Sequence, residues 1–160
     1  MVYGARLTPS QLGITAPIVQ VTGELPWSGA QVSEFSGKDQ ARLCISLDDV
    51  QKERMAAVDG HLKSAFNKYK SVLRASNWRD TLKDEGYISA KQRHKDQKIL
   101  TPCYDMEGQS IQPDCLGKGA QVTAHLQLKY IYAVSGTGGL TWEVSKVRLD
   151  SPGDLDAAFV

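Results

Sequence analysis

One segment in the last third of the chain constrains the fold more than any other. From Gln121 to Val134, apolar and polar side chains alternate over fourteen residues, and one face carries Val122, Ala124, Leu126, Leu128, Tyr130, Tyr132 and Val134. Alternation with a period of two predicts a strand, because successive side chains of a strand point to opposite faces of the sheet. A strand of this length is long enough to bend across two sides of a small β-barrel.

The next segment predicts a returning strand whose alternation changes partway. Gly136-Thr-Gly-Gly139 permits a tight reversal. Within Leu140–Leu149 the apolar residues fall first at even positions and then at odd ones. A β-bulge near Ser145 explains the switch, and bulges help a sheet to curve and close. Three aromatic residues of this hairpin share faces with Leu and Val side chains and are expected in the core: Tyr130, Tyr132 and Trp142.

The first half of the chain adds two strands and a long helix. Pro17–Thr22 and the alternating run Ala41–Leu47 predict strands. From Asp48 to Arg74 there is no proline, and the apolar residues recur mostly in steps of three and four. That period predicts one long amphipathic helix, which we expect to pack against a sheet.

Two shorter elements are expected between these regions. Ser76–Leu82 suggests a short helical turn, and Lys98–Tyr104 suggests a strand in which Pro102 indicates an edge or a bulge. The chain of 160 residues has the length of a single domain. We therefore predict one mainly β domain over residues 1–150, a small barrel with one long inserted amphipathic helix.

Several classes of protein are disfavoured. No run approaches the ~20 apolar residues of a membrane span, and no secretory leader is apparent. The three cysteines and three histidines lack metal-ligand spacing, so we expect reduced thiols and neither a metal nor another cofactor. No phosphate-binding loop or nucleophile elbow occurs, and Gly136–Gly139 lies between strands rather than before a helix. We therefore predict a protein without catalytic residues.

Charge and aromatic residues point instead to a binding surface. The net charge of +1 excludes a uniformly basic protein, but it permits a basic groove balanced by acids elsewhere. Proteins that bind single strands without sequence preference combine a cationic groove with aromatic rings on which bases stack. The residues predicted to form such a DNA-binding site are Arg42, Trp78, Tyr87, Lys91, Arg93, Lys95, Lys98, Lys129 and Lys146, with Trp27 as a further candidate. A solvated loop is the alternative for residues 91–98.

The order of the elements supports this interpretation. A strand ending in Ile45-Ser-Leu47 runs directly into the helix that begins at Asp48. Later motifs follow in the order Lys98-Ile-Leu100, Tyr104…Gly108, Leu116-Gly-Lys-Gly119, Val122…Leu126…Tyr130-Ile-Tyr132 and Gly138-Gly-Leu-Thr-Trp142-Glu-Val144. Over roughly residues 40–150 the pattern resembles the single-stranded DNA-binding proteins of bacteriophages and large DNA viruses. The resemblance implies an oligonucleotide/oligosaccharide-binding (OB) fold with an inserted helix.

The same resemblance implies a biological setting. It suggests sequence-independent binding of single-stranded DNA during viral or phage replication or recombination, in the cytoplasm of the host. Residues 151–160 would form a short acidic tail that competes with DNA for the groove and binds replication proteins. A frayed terminus is the alternative for the tail. The sequence leaves open whether the chain forms a homodimer.

Two other functions compete with DNA binding. A virion structural protein or a protein-interaction module would suit the near-neutral charge equally well. A small nuclease is the weakest of the three, because no constellation of acids or histidines supports it.

Overall fold

The computed structural model describes residues 4–30, 32–35 and 37–153. In this part of the chain there is one α-helix, α1 (Asp49–Leu73), and a short 3₁₀ helix (Pro113–Cys115). The strands are β1 (Gly4–Leu7), β2 (Ile18–Glu24), β3 (Ser33–Phe35), β4 (Lys38–Gln40), β5 (Arg42–Ser46), β6 (Asn77–Trp78), β7 (Tyr87–Lys91), β8 (His94–Lys95), β9 (Lys98–Ile99), β10 (Cys103–Tyr104), β11 (Ser110–Ile111), β12 (Gln121–Val134) and β13 (Thr137–Ser151).

Five of the strands close into a barrel in the order β2-β5-β7-β13-β12 and back to β2. The β7–β13 pairing is parallel, and the other four are antiparallel. Two of the five strand pairings consist of one residue pair each. Glu24 of β2 pairs with Ser46 of β5, and Lys91 of β7 pairs with Glu143 of β13. This connectivity is the five-stranded Greek-key barrel of the OB fold. The predicted fold class is confirmed.

The barrel interior is filled by the inward-facing residues of its five strands. These side chains are almost completely buried: Val21, Leu43, Ile45, Ile88, Ala90, Val122, Leu126, Trp142 and Val144. The burial of Trp142 agrees with its expected place in the core. Because the inward residues alternate with outward ones, each strand also presents a set of side chains on the outer face of the barrel.

Helix α1 is inserted between β5 and β7, close to the bounds that the apolar period predicts. The Asp48 carboxylate accepts a hydrogen bond from the Gln51 N–H at 2.8 Å, which caps the N-terminus. Arg74, with φ of 55°, ends the helix in the left-handed conformation. Met55 and Leu62 contribute to the barrel core, whereas Phe66 lies in a second cluster that includes Ile131 and Ala133.

The β12–β13 hairpin contains the expected bulge, a second one, and a further register shift at its open end, between Gln121 and Val122. His125 pairs with Lys146 but Leu126 pairs with Val144, which places an extra residue at Ser145 and confirms the first bulge. Leu128 pairs with Trp142 and Tyr130 with Thr141, so Lys129 is also an extra residue. Beyond Lys129 the buried positions change from even to odd, and Ile131 and Ala133 turn inward.

The second bulge overturns one expectation. Tyr130 and Tyr132 are only half-buried and lie on the outer face, so their expected place in the core is wrong. A bulge adds one residue to one strand, and with a side-chain period of two this reverses the faces of all later residues.

Two shorter elements also differ from expectation. The segment predicted as a helical turn at 76–82 instead contains strand β6, which pairs in parallel with β13 through Asn77 and Trp78. The expected strand 98–104 is broken at Pro102 into β9 and β10, which belong to different sheets. Pro102 lacks an N–H, and its carbonyl accepts a hydrogen bond from the Val147 N–H at 2.9 Å.

Three further points concern the cysteines, the helix and the C-terminal tail. The three cysteines, Cys44, Cys103 and Cys115, are free thiols. Within the described residues, no helix has the combined length and apolar character needed to cross a lipid bilayer. Residues 154–160 of the expected acidic tail lie outside the described residues.

We predict that closure of the barrel depends on Gly23. A Cβ at this position would overlap the Ser46 carbonyl oxygen and would lie 2.8 Å from the Ile45 side chain. Gly23→Ala should therefore lower the free energy of unfolding by about 1–3 kcal/mol, as measured by urea denaturation. Gly60→Ala is the control: it lies in α1 with nothing within 4 Å of its Cβ, and it should add about 1 kcal/mol. A Gly23→Ala protein as stable as the wild type would contradict the prediction that closure of the barrel depends on Gly23.

Candidate functional site

A cleft of about 660 Å³ opens on the outer face of the barrel. It lies where β1, β5, β7, β12 and β13 meet the segment that precedes β7. Its charged lining consists of five cations and one acid: Arg6, Arg42, Arg79, Lys83, Lys91 and Asp80. Tyr130 and Tyr132 supply its aromatic rings. We call this surface the cationic cleft.

Strand alternation explains why β5 and β7 present cations to the cleft. Arg42 pairs directly with Lys91 across these two strands, and both side chains point outward. The neighbouring Leu43 and Ala90 point into the core. The Arg42 Nε donates a hydrogen bond of 2.8 Å to the Ser89 Oγ, which orients the guanidinium along the outer face.

Tyr130 lies at the centre of the cationic cleft. The Lys91 Nζ donates a hydrogen bond of 2.9 Å to its hydroxyl, and the Arg6 guanidinium lies 4.8 Å from its ring centroid. Burial by itself raises the pKa of Tyr130. The hydrogen bond and charge of Lys91, a hydrogen bond with Thr141 and the charge of Arg6 outweigh burial, so the pKa lies below its ordinary value. Tyr130 thus holds two cations close together.

The other predicted cations nearest to the cleft lie on the β8–β9 hairpin, which begins directly after Lys91. This hairpin carries the exposed side chains of Arg93, Lys95 and Lys98. The buried side chain of Gln92 fixes the base of this hairpin. It donates a hydrogen bond to the Gly29 carbonyl at 2.7 Å and accepts one from the Thr101 hydroxyl at 2.9 Å.

A hydrogen bond also joins this hairpin to the β3–β4 hairpin. The Gln97 Nε2 donates to the Asp39 carboxylate at 2.7 Å. Since the β8–β9 hairpin leaves the barrel at Lys91, its three cations extend the positive surface beyond the cationic cleft.

An aromatic pair lies further along the same outer face. Tyr87 shares a face of β7 with Ser89 and Lys91, and its ring centroid lies 5.0 Å from that of Trp27 at an interplanar angle of 75°. Trp27 is 48% exposed. At about 3.3 Å per residue, Tyr87 is displaced by roughly 7 Å along the strand from Ser89, which lines the cleft.

Of the nine predicted site residues, Arg42 and Lys91 line the cleft and the other seven do not. Trp78 is half-buried against Phe66, with ring centroids 5.0 Å apart, because β6 pairs with β13. Lys129 forms an ion pair of 3.1 Å with Glu143. Lys146 lines a separate depression beside His125, whose pKa is lowered by burial and by nearby cations.

Sequence reasoning missed the cleft residues Arg6, Arg79, Lys83, Tyr130 and Tyr132. The sequence did contain a signal for the outward position of the two tyrosines. Ile131 and Ala133 are apolar, although they lie on the face of the strand predicted to be polar. No periodic pattern marks the segments that carry the three cations. No group of three or more His, Cys, Asp or Glu side chains in the described ranges is suited to hold a metal ion.

Comparison with known proteins supports the fold. No family model and no curated protein sequence matches this chain. Among solved structures, gp2.5, a single-stranded DNA binding protein encoded by bacteriophage T7, aligns with a TM-score of 0.58 at 11% identity. That alignment covers 85% of this chain and 92% of gp2.5.

A second solved structure is similar. The single-stranded DNA-binding protein from bacteriophage Enc34, in complex with ssDNA, aligns with a TM-score of 0.54 at 10% identity. The alignment covers 84% of this chain and 86% of that chain. At such identities the likeness shows the fold alone, and that fold is the one predicted.

We predict that Lys91 holds down the pKa of Tyr130. Lys91→Met removes both a hydrogen bond and a positive charge that favour the phenolate, so the pKa of Tyr130 should rise. An NMR titration of the tyrosine Cζ resonances measures this directly. Lys95→Met is the matched control, because Lys95 is exposed on the β8–β9 hairpin, and it should leave Tyr130 unchanged. An unaltered pKa in Lys91→Met would contradict the contact.

Proposed function

We propose that this protein binds single-stranded DNA without sequence preference and serves viral or phage replication or recombination without catalytic turnover. The observation that carries the proposal is the cationic cleft, which gathers five cations around two tyrosines on the outer face of an OB barrel. The two structural neighbours are named as single-stranded DNA-binding proteins of bacteriophages, which supports the same ligand.

Phosphates would bind to the cations of the cleft and of the β8–β9 hairpin. The Lys91 ammonium has donors beyond the one that Tyr130 accepts, and the Arg42 guanidinium has donors beyond Nε. Contacts of this kind release counterions from the nucleic acid, so affinity falls as salt rises. Nothing in such contacts distinguishes one base from another.

Bases would stack on exposed aromatic rings. Trp27 and Tyr87 offer one platform beside the cleft, and Tyr132 offers another within it. Gly139 allows Tyr132 to lie close to the β13 backbone, because a Cβ there would come within 2.6 Å of its hydroxyl. Stacking contributes about 1–3 kcal/mol per base and tolerates every base. It also favours single strands, since the bases of a duplex already stack on each other.

Further elements of the proposal stay predictions. They are a single domain over residues 1–150, a C-terminal tail that binds replication proteins, and a location in the host cytoplasm. Asp150, the last acid before that tail, lies on β13 and pairs with Arg148 at 2.6 Å. Trp78, Lys129 and Lys146 also stay predicted DNA contacts, although they lie outside the cleft lining.

The direct test is a titration with a fluorescent oligo-dT, with its duplex form as comparison, at two salt concentrations. Micromolar or tighter binding to the single strand is expected, with weaker binding to the duplex and a steep loss as salt rises. Absent or equal binding to the two forms would favour a structural or protein-interaction role. Cleavage on addition of magnesium would indicate a nuclease.

Charge reversal should locate the phosphate contacts. Arg42→Glu combined with Lys91→Glu removes two cations from the cationic cleft and should weaken oligo-dT binding at least tenfold. The slope of log K against log salt should become shallower by about 1.4, from about 0.7 for each phosphate contact. Lys63→Glu with Lys68→Glu is the control, because it makes the same charge change on the exposed surface of α1. Equal losses in the two double variants would mean that net charge, not the cleft, governs binding.

Tryptophan fluorescence should report on the aromatic pair. Trp142 is buried and Trp78 packs against Phe66, whereas Trp27 is exposed. Oligo-dT should therefore quench chiefly Trp27, and Trp27→Phe should abolish most of the quenching while retaining a ring. Trp27→Ala should cost about 1–3 kcal/mol of binding free energy. Undiminished quenching in Trp27→Phe would place the bases elsewhere.

A further inference from the structure

A buried carboxylate on helix α1 lies next to one wall of the cationic cleft. Asp59 is only 4% exposed, and both of its oxygens accept hydrogen bonds from one residue, Thr81. The Thr81 N–H donates to Oδ2 at 2.6 Å, and the Thr81 hydroxyl donates to Oδ1 at 2.5 Å. No ion pair to Asp59 occurs among the described residues. Burial of a carboxylate without a cation is costly, and here burial raises the pKa of Asp59.

Thr81 connects this carboxylate to the barrel core. Its hydroxyl oxygen accepts a hydrogen bond of 3.2 Å from the indole Nε1 of Trp142, whose side chain is buried inside the barrel. The hydroxyl therefore makes two bonds, one to the helix and one to β13. Thr81 itself is 9% exposed, so its polar groups depend on these partners.

The segment fixed in this way carries two cations of the cleft. Arg79 and Lys83 stand on either side of Thr81, and all three line the cationic cleft. The backbone at the two ends is anchored separately, because the Arg79 N–H donates to the Gly138 carbonyl at 2.7 Å and the Lys83 N–H donates to the Tyr87 carbonyl at 2.8 Å. Between these anchors, Asp59 provides the hydrogen bonds that hold the centre of the segment.

We infer that Asp59 is a positioning residue for DNA binding: through Thr81 it holds Arg79 and Lys83 in the cleft opposite Arg42 and Lys91. The inference rests on the proposed function. A segment whose backbone is ordered before the ligand arrives avoids the entropy cost of ordering that backbone on binding. Asp59 itself does not line the cleft, and it acts only through Thr81.

The test compares Asp59→Ala with two other variants in titrations of oligo-dT across a range of salt. Asp59→Ala should lose the contributions of two phosphate contacts, so the salt slope becomes shallower by about 1.4 and affinity at 0.1 M salt falls about 20-fold. Asp59→Asn should largely restore both values, because its amide can accept from the Thr81 N–H and donate to the hydroxyl. Met55→Ala, one turn earlier on α1, removes a buried side chain without touching Thr81. It should lower the melting temperature and leave the salt slope unchanged.

A double-variant background isolates the route of the effect. In a protein that already carries Arg79→Ala and Lys83→Ala, adding Asp59→Ala should change neither affinity nor salt slope, because the segment has no cations left to position. A further loss of affinity in that background would contradict the inference.

The outcomes separate this inference from the proposed function. If the wild-type protein does not bind oligo-dT, the proposed function fails. If the wild type binds and folded Asp59→Ala keeps its affinity and salt slope, the positioning role is overturned. If Asp59→Ala does not fold, Thr81→Val takes its place, since it deletes the hydroxyl and keeps the shape. An unchanged salt slope in folded Thr81→Val would then overturn the role.

Discussion

The long antiparallel pairing of β12 with β13 is the interaction on which the rest of the structure depends. These two strands are neighbours in the barrel, and β13 also pairs in parallel with β6, β7 and β10. The bulges at Lys129 and Ser145 let the hairpin curve enough to close the barrel. The Lys129 bulge has a second effect, because it turns Tyr130 toward the outer face and Ile131 toward the second cluster.

The electrostatics of the free protein follow from that geometry. Arg6 and Lys91 both lie against the ring of Tyr130, and like charges held close together destabilise the unliganded state. The same two cations contribute to the lowered pKa of Tyr130, Lys91 through its hydrogen bond and charge and Arg6 through its charge. A polyanion would relieve the repulsion, and any ligand that binds only the folded state adds to its stability. The net charge of +1 is therefore the sum of a positive cationic cleft and acids elsewhere in the chain.

The sequence predicted some residues of this surface and missed others for identifiable reasons. Arg42 lies on a predicted strand, whereas Lys91 lies on β7, which no sequence pattern indicated; both line the cleft. The polar sequence context of Trp78 predicts an exposed ring, yet β6 pairs with β13 and places that ring against Phe66. Arg6 and Arg79 come from segments without a periodic pattern, and they reach the cleft only because β1 and β6 pair with the ends of the hairpin.

The sequence alone determined the longest elements and their order: the alternating strands, the long proline-free helix between Asp48 and Arg74, and the Gly-rich reversal before β13. Periods of two and of three to four are local properties that each segment carries by itself. The tertiary structure decided which side chains share the cationic cleft. That choice depends on register, and a one-residue bulge at Lys129 exchanges the inner and outer faces of the remaining residues of β12. Register is set by pairing with the partner strand, and the pattern within one segment carries no information about that pairing.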